Sequence, residues 1–229
     1  SVFCTANWLP TVLGRLTRTQ DDAPFAANDT GFVAGAGGAV RQSTDAGDTW
    51  TSVPTPATQR LRCISFVDRS CGWCAGDSGT ILRTVNGGLT WSLSQTSTRA
   101  NLRSVHFADV DNGWCVGADG AVLHSTDGGQ TWTQQFSGTG ASLDAVQALS
   151  NSAALAAGEG GLVLKTADAG ATWRGQATGT TKTIQGLFSL TSQSVWAVGK
   201  GGSVLWTTDG GGTANLGAPI PVSPADGAT

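Results

Sequence analysis

One motif recurs along this chain at a spacing that never changes. Ser43 to Trp50 reads S-T-D-A-G-D-T-W, and related octapeptides open at Thr84, Ser125, Thr166 and Thr207. Each starts 41 residues after the last, with no insertion or deletion between them. The central acceptor is Asp45, Asn86, Asp127, Asp168 and Asp209 in turn. The first four copies close on Trp50, Trp91, Trp132 and Trp173, and the fifth on Ala214. A fixed period of this length marks a repeat architecture, in which no unit can bury its apolar face alone.

Two further elements keep the same period. A glycine-rich tetrad recurs at Gly35–Gly38, Gly76–Gly79, Gly117–Gly120, Gly158–Gly161 and Gly199–Gly202, preceded by Phe32, Trp73, Trp114, Leu155 and Trp196. An alternating apolar run recurs at Leu61–Phe66, Leu102–Phe107, Leu143–Ala148 and Ile184–Ser189, with a degraded first copy near Gln20 to Phe25. Each repeat therefore carries four short apolar runs between glycine turns, and none has a helical period. That pattern predicts all-β structure, specifically a five-bladed β-propeller of four-stranded blades. In the third repeat the strands are expected at 101–108, 113–116, 121–125 and 131–135.

The octapeptide chemistry is structural. An Asp or Asn side chain accepts hydrogen bonds from amides a few residues ahead, and glycine supplies the positive φ that a tight reversal needs. Asn86 keeps the acceptor without the charge, which suits a turn and not an acid–base catalyst. The closing tryptophans are expected to wedge against a neighbouring strand. Because the fifth copy ends in Ala214, its blade lacks an evident outer strand. Thr5 to Thr11 resembles Thr49 to Thr55. Residues 2–13 are therefore expected to complete blade five and close the ring, so that 1–213 form the propeller and 214–229 a C-terminal tail or linker.

Composition narrows the function. Net charge is -3 with 13% charged residues, so nothing points to nucleic acid. No apolar run is long enough for a transmembrane helix. The chain has no methionine and starts at Ser1, which reads as an excised part of a longer precursor. Five cysteines, Cys4, Cys63, Cys71, Cys74 and Cys115, allow at most two internal disulfides, and Asn28 heads a possible N-glycosylation triplet. An extracytoplasmic location (lumenal, periplasmic or cell-surface) fits these features.

The octapeptide resembles the BNR/Asp-box repeat of sialidases, sortilin-type receptors and xyloglucanase-type glycosidases. The longer pattern Leu102-Arg103-Ser104-Val105-His106-Phe107, Asp111 to Gly117 and Gly120 to Gly129 resembles the photosystem II stability/assembly factor family. That resemblance implies a non-catalytic propeller, lumenal or periplasmic, that binds an unassembled membrane-protein subunit. Family members have seven blades, and this chain shows five repeats.

Enzyme readings fare poorly on residue inventory. A sialidase needs a tyrosine nucleophile, and the chain has no tyrosine. Asp77, Asp119 and Glu159 sit on equivalent turns and could supply a glycosidase pair, but acids are also ordinary turn residues. The C-x-x-C at Cys71 to Cys74 lies in a hairpin and not a βαβ setting, so redox work is not expected, although a disulfide through Cys63, Cys71 or Cys74 is open. Two histidines are too few for zinc. The run Asp109 to Gly113 lacks most calcium ligands and reads as a turn. No catalytic residue, metal or cofactor is expected.

Binding is expected on the face that carries the glycine tetrads and the inter-blade connections. Arg60, Arg62, Arg99, Arg103 and Lys182 gather there, facing another protein, a membrane-protein subunit or other domains of the parent chain; a glycan is the alternative partner. A third-strand row, Gln42, Arg83, His124 and Lys165, is expected to face solvent; Trp206 at the same place in the fifth repeat breaks it and is expected to pack on the N-terminal strand or the tail.

Overall fold

The computed structural model describes the backbone of Thr17–Arg18 and residues 30–210. The described residues form five antiparallel sheets, in each of which the strands pair in chain order, as in propeller blades. Blade one is β1 (Thr17–Arg18), β2 (Gly31–Ala34), β3 (Val40–Ser43) and β4 (Thr51–Val53). Blade two is β5 (Leu61–Phe66), β6 (Gly72–Gly76), β7 (Ile81–Thr84) and β8 (Ser92–Leu93). Blade three is β9 (Leu102–Phe107), β10 (Gly113–Gly117), β11 (Val122–Ser125) and β12 (Thr133–Gln135). Blade four is β13 (Leu143–Ala148), β14 (Ala154–Gly158), β15 (Val163–Thr166) and β16 (Arg174–Gln176). Blade five shows β17 (Ile184–Ser189), β18 (Val195–Gly199) and β19 (Val204–Thr207). The third blade follows its expected strands to within two residues.

One strand departs from the repeat. The strand paired with β2 on its inner side is Thr17–Arg18, opposite Phe32 and Gly31, and the expected run near Gln20 to Phe25 lies outside the described residues. The connection to β2 is longer than in blades two to five, so the 41-residue spacing fails there. The expected strand at 2–13, the tail at 214–229, Cys4 and Asn28 lie outside the described residues.

Strand alternation gives every blade a leading face toward the next blade and a trailing face toward the previous one. The core is the set of seams between them. Phe32, Ala34 and Val40 of blade one meet Leu61, Ile64, Cys74 and Trp91 of blade two. Trp73, Ala75 and Ile81 of blade two meet Leu102, Val105, Phe107 and Trp132 of blade three. Trp114, Val116 and Val122 then meet Leu143, Val146 and Ala156 of blade four. Leu155, Ala157 and Val163 meet Ile184, Leu187, Val195 and Ala197 of blade five. The repeated apolar residues thus bury between blades, which is why one 41-residue unit could not fold alone.

Candidate protein-binding face

The ends of the blades present two chemically different faces. The octapeptide boxes occupy one. In blade one the Ser43 hydroxyl donates to Asp45 Oδ1 at 2.7 Å, and Asp45 accepts the Thr49 amide at 2.9 Å and the Thr49 hydroxyl at 2.6 Å. Blades three and four repeat this with Asp127 and Asp168. Asn86 makes the amide version, accepting the Thr90 N–H at 3.0 Å while its Nδ2 donates to the Thr90 hydroxyl at 2.8 Å. Thr207 donates to Asp209 in the fifth box. These bonds stabilise the anion: the Thr49 hydroxyl first, then its amide and Ser43, bring Asp45 down to about 2. Thr172 and Thr166 do the same for Asp168, also to about 2. For Asp127 burial opposes the shift, and the bonds from Thr131 and Ser125 outweigh it, so its carboxyl too is lowered.

The boxes also latch the blades together. The Trp73 indole of blade two donates to the Gly128 carbonyl in the box of blade three at 2.8 Å and stacks on Phe107, with ring centroids 3.4 Å apart. A Cβ on Gly129 would fall 2.4 Å from Trp73 Nε1, so only glycine lets the indole seat. Trp132 stands edge-on to Phe107, and Trp91 edge-on to Phe66, so these box tryptophans wedge into the seams as expected. Trp50 and Trp173 are half-buried. Between blades three and four, Gln135 does the latching that an indole does elsewhere: it donates to Ala169 O at 2.6 Å and accepts from Trp173 Nε1 at 3.2 Å. Sequence reading missed Gln135, because it lies outside the repeated motif.

The opposite face carries the second-to-third-strand turns and the connections. Each turn is clasped by the chain entering the inner strand: Asp77 N donates to Arg60 O, Ala118 N to Asn101 O, Glu159 N to Ser142 O and Lys200 N to Thr183 O, all at 2.9–3.0 Å. Four inner strands carry a bulge at one repeat position, where Arg62, Arg103, Asp144 and Gln185 are skipped by the cross-strand pairing. A bulge turns a side chain out of the pleat, and here it presents a ring of polar groups. Arg62 is ion-paired with Asp77 of its own blade, and Arg103 Nη1 reaches Asp144 at 2.5 Å and Glu159 at 3.9 Å on blade four.

The five basic residues singled out from sequence therefore divide. Arg60 and Arg99 flank one turn: Arg60 precedes β5, whose entry holds Asp77, and Arg99 lies beside Ala100, whose carbonyl accepts Gly79 N at 2.9 Å. Neither makes an ion pair among the described residues, and Arg99 is exposed. Arg62 borders the same turn with its charge partly met by Asp77, whereas the Arg103 guanidinium is turned to Asp144 and Glu159 of blade four. Asn101 Oδ1 accepts the Ser78 amide at 3.1 Å and ties blade three to it. Lys182 is apart, its stem lying along the Gly201 turn of blade five. Ser78 and Asp119 sit at turn tips with φ 55° and 56°, where the other three blades have glycine. Ala46 and Ala169 hold similar angles in box turns, so this strain alone does not mark function.

Other expectations resolve simply. Asp109 Oδ1 accepts the Asp111 and Asn112 amides at 2.9 and 2.6 Å, an Asx turn, and no group of candidate metal ligands occurs among the described residues. Cys71, Cys74 and Cys115 are free thiols, and the Cys63 thiol donates to Ala75 O. Burial raises Cys74 and Cys115 well above the usual thiol range. The third-strand row needs correction. It lies on the leading faces, over the seams: His124 is buried against Trp114, ring centroids 4.4 Å apart, and Gln42, Arg83, Lys165 and Trp206 are half-buried. Polar residues there mimic a solvent pattern while packing beside the next blade.

Box turns, inter-blade seams and a polar turn face define a BNR-repeat β-propeller. Residues 49–189, more than half of the chain, match the family described as photosynthesis system II assembly factor YCF48, and the chain belongs to that family. Among solved structures, YCF48 from Cyanidioschyzon merolae is 21% identical with a TM-score of 0.66, covering 92% of this chain and 73% of that one. A structure of YCF48 bound to D1 peptide is also 21% identical, with a TM-score of 0.54 over 73% of this chain and 84% of that one. The GH74 enzyme of Niastella koreensis is 20% identical with a TM-score of 0.61, over 80% of this chain and 36% of the enzyme. At such identities these structures share the fold. No curated protein matches the chain.

Proposed function

We propose that this chain is a non-catalytic binding scaffold whose turn face takes an acidic segment of a partner protein. The observation that carries the reading is that Arg62 and the chain segments bearing Arg60 and Arg99 meet at the Asp77–Gly79 turn, with Arg60 and Arg99 outside any described ion pair. Family membership and a relative that holds a peptide support it. The opposite face, with its box aspartates, repels the same ligand, so the charge asymmetry orients the encounter. The partner belongs to the class of unassembled membrane-protein subunits, met on the extracytoplasmic side, with residues 1–213 acting as the propeller and 214–229 as tail or linker. No helix among the described residues is long and apolar enough to cross a membrane.

The glycosidase reading gains little from the site. Asp77 is engaged with Arg62, and Glu159 Oε2 accepts the Ser142 amide at 3.3 Å. Both carboxylates thus serve the turns they sit on. The test is fluorescence anisotropy with a labelled acidic peptide and its charge-reversed counterpart. Arg60→Glu with Arg99→Glu should weaken the acidic peptide about tenfold or more, given about 1 kcal/mol or more for each charge pair changed at a partly exposed site. Equal binding of both peptides, or binding indifferent to the substitutions, would sink the assignment.

A further inference from the structure

The chain's two histidines lie on one face of one blade. His106 of β9 and His124 of β11 are both cross-strand partners of Trp114 of β10, so the three rings form a row on the leading face of blade three. Trp114 carries that face onto blade four. The indole latch of blade two is unmade in this seam. Trp114 Nε1 is buried with no hydrogen-bond partner, and Ala169 O, the blade-four equivalent of Gly128 O, accepts Gln135.

Neither imidazole is placed to take a second proton. His106 Nδ1 accepts the Ala148 amide of blade four at 3.3 Å, beside the Val146 amide, which donates to Ser104 Oγ at 3.2 Å. An imidazolium carries a proton on each ring nitrogen, so charging His106 sets two N–H groups against each other across the seam. His124 is 9% exposed, stacks on Trp114, and has no hydrogen-bond partner at Nε2. Blade four brings Val146, Ala148, Ala154, Ala156 and Leu164 to this seam, none of them titratable. The charges described at its ends are already engaged. Asp144 and Glu159 meet Arg103 on the turn face, and Asp109, Asp127 and Asp168 accept hydrogen bonds within their own turns. At the His124 position blades two and four hold Arg83 and Lys165, both half-buried. Their long stems can carry a charge to the rim, and an imidazole has no such reach.

We infer that the seam between blades three and four is an acid-sensitive joint, loosened when His106 and His124 take up protons while the other described seams stay closed. Burial holds the His124 ring below its ordinary value, so the opened seam binds the proton more readily than the closed one. The contact is therefore complete above about pH 6.5, the ordinary histidine value, and weakens as pH falls below it. Asp45 and Asp168 titrate at about 2, so the box turns hold through that window. Arg103 and Asp144 pair across this same seam, so its opening parts them on the turn face.

Amide hydrogen exchange of the full chain, read residue by residue by NMR at pH 7 and pH 5 and corrected for the intrinsic pH dependence, tests it. The Val146 and Ala148 amides donate across the seam, so their protection reports its closure. In the wild type that protection should fall about tenfold or more on acidification, since each pH unit over which only the open form is protonated favours opening about tenfold. The amides of β5 and β6 should keep theirs. His106→Gln with His124→Gln, the residues that Gln147 and Gln42 already supply at these repeat positions, should abolish the loss. His124→Gln alone leaves the Ala148 acceptor in place and should remove part of it, which decides the matter if the double variant does not fold. No loss in the wild type, a loss shared equally by β5 and β6, or a loss undiminished by the substitutions overturns the inference.

Discussion

Trp73 and Trp196 occupy the same repeat position, and their substitution by alanine should differ several-fold in cost. Trp73 has no exposed surface, stacks on Phe107 and donates to the Gly128 carbonyl. Truncating a buried aromatic costs about 3–5 kcal/mol, and part of that is the carbonyl left unpaired, about 1–3 kcal/mol. Trp196 is 37% exposed, seals no seam among the described residues and keeps only its stack on Trp206, so Trp196→Ala should cost about 1–2 kcal/mol in dilute solution. Trp73→Phe should fall between, because it keeps the ring stack and loses the indole donor. The assay is urea unfolding followed by far-ultraviolet circular dichroism at low protein concentration, with the slope checked for constancy. Equal losses at the two positions would refute the claim that stability resides in the seams, in none of which Trp196 takes part among the described residues.

Three further outcomes follow from the same contacts. Gly129→Ala should destabilise by about 2 kcal/mol or more, since its methyl would press on Trp73 and its φ is +80°; a neutral change by thermal melting would show that the latch is not tight. Asp45, Asp127 and Asp168 have lowered carboxyl values, so their contribution is complete above about pH 4 and is lost as pH falls toward 2. Replacing all three with asparagine, the residue blade two already uses, should flatten the melting temperature between pH 5 and 2, and an unchanged acid limb would contradict this. In the native state a thiol reagent should reach the half-exposed Cys71 and leave Cys74 and Cys115 untouched until unfolding, which absorbance titration can count.

The propeller was legible because its determinants are local and repeated. Each box carries its own acceptor, glycine and hydroxyl, so reading Ser43 to Trp50 once explained four more turns. Phe32, Trp73 and Trp114 stood out for the same reason. What escaped depended on contacts between repeats. The His124 row looked like a polar surface, because sequence shows residue type and not which blade lies above it. Gln135 replaces an indole across a seam, and no motif marks that. The four arginines were visible, but their division into partly neutralised Arg62 and Arg103, and Arg60 and Arg99 with no ion pair among the described residues, required the bulges and the positions of Asp77 and Asp144. In blade one the strand opposite β2 is Thr17–Arg18, where the spacing that located every other inner strand changes.

The most direct test of the account is site-specific photo-crosslinking on the two opposite faces. A photoreactive phenylalanine analogue would replace Ser78 on the turn face or Asp48 on the box face, and each protein would be mixed with detergent-solubilised membrane proteins of the source organism. Mass spectrometry would identify the crosslinked peptides. The account predicts crosslinks from position 78 to an acidic segment of a protein, lost with Arg60→Glu and Arg99→Glu, and none from position 48. Crosslinks from position 48 alone, or capture at position 78 of glycans and no peptide, would contradict it.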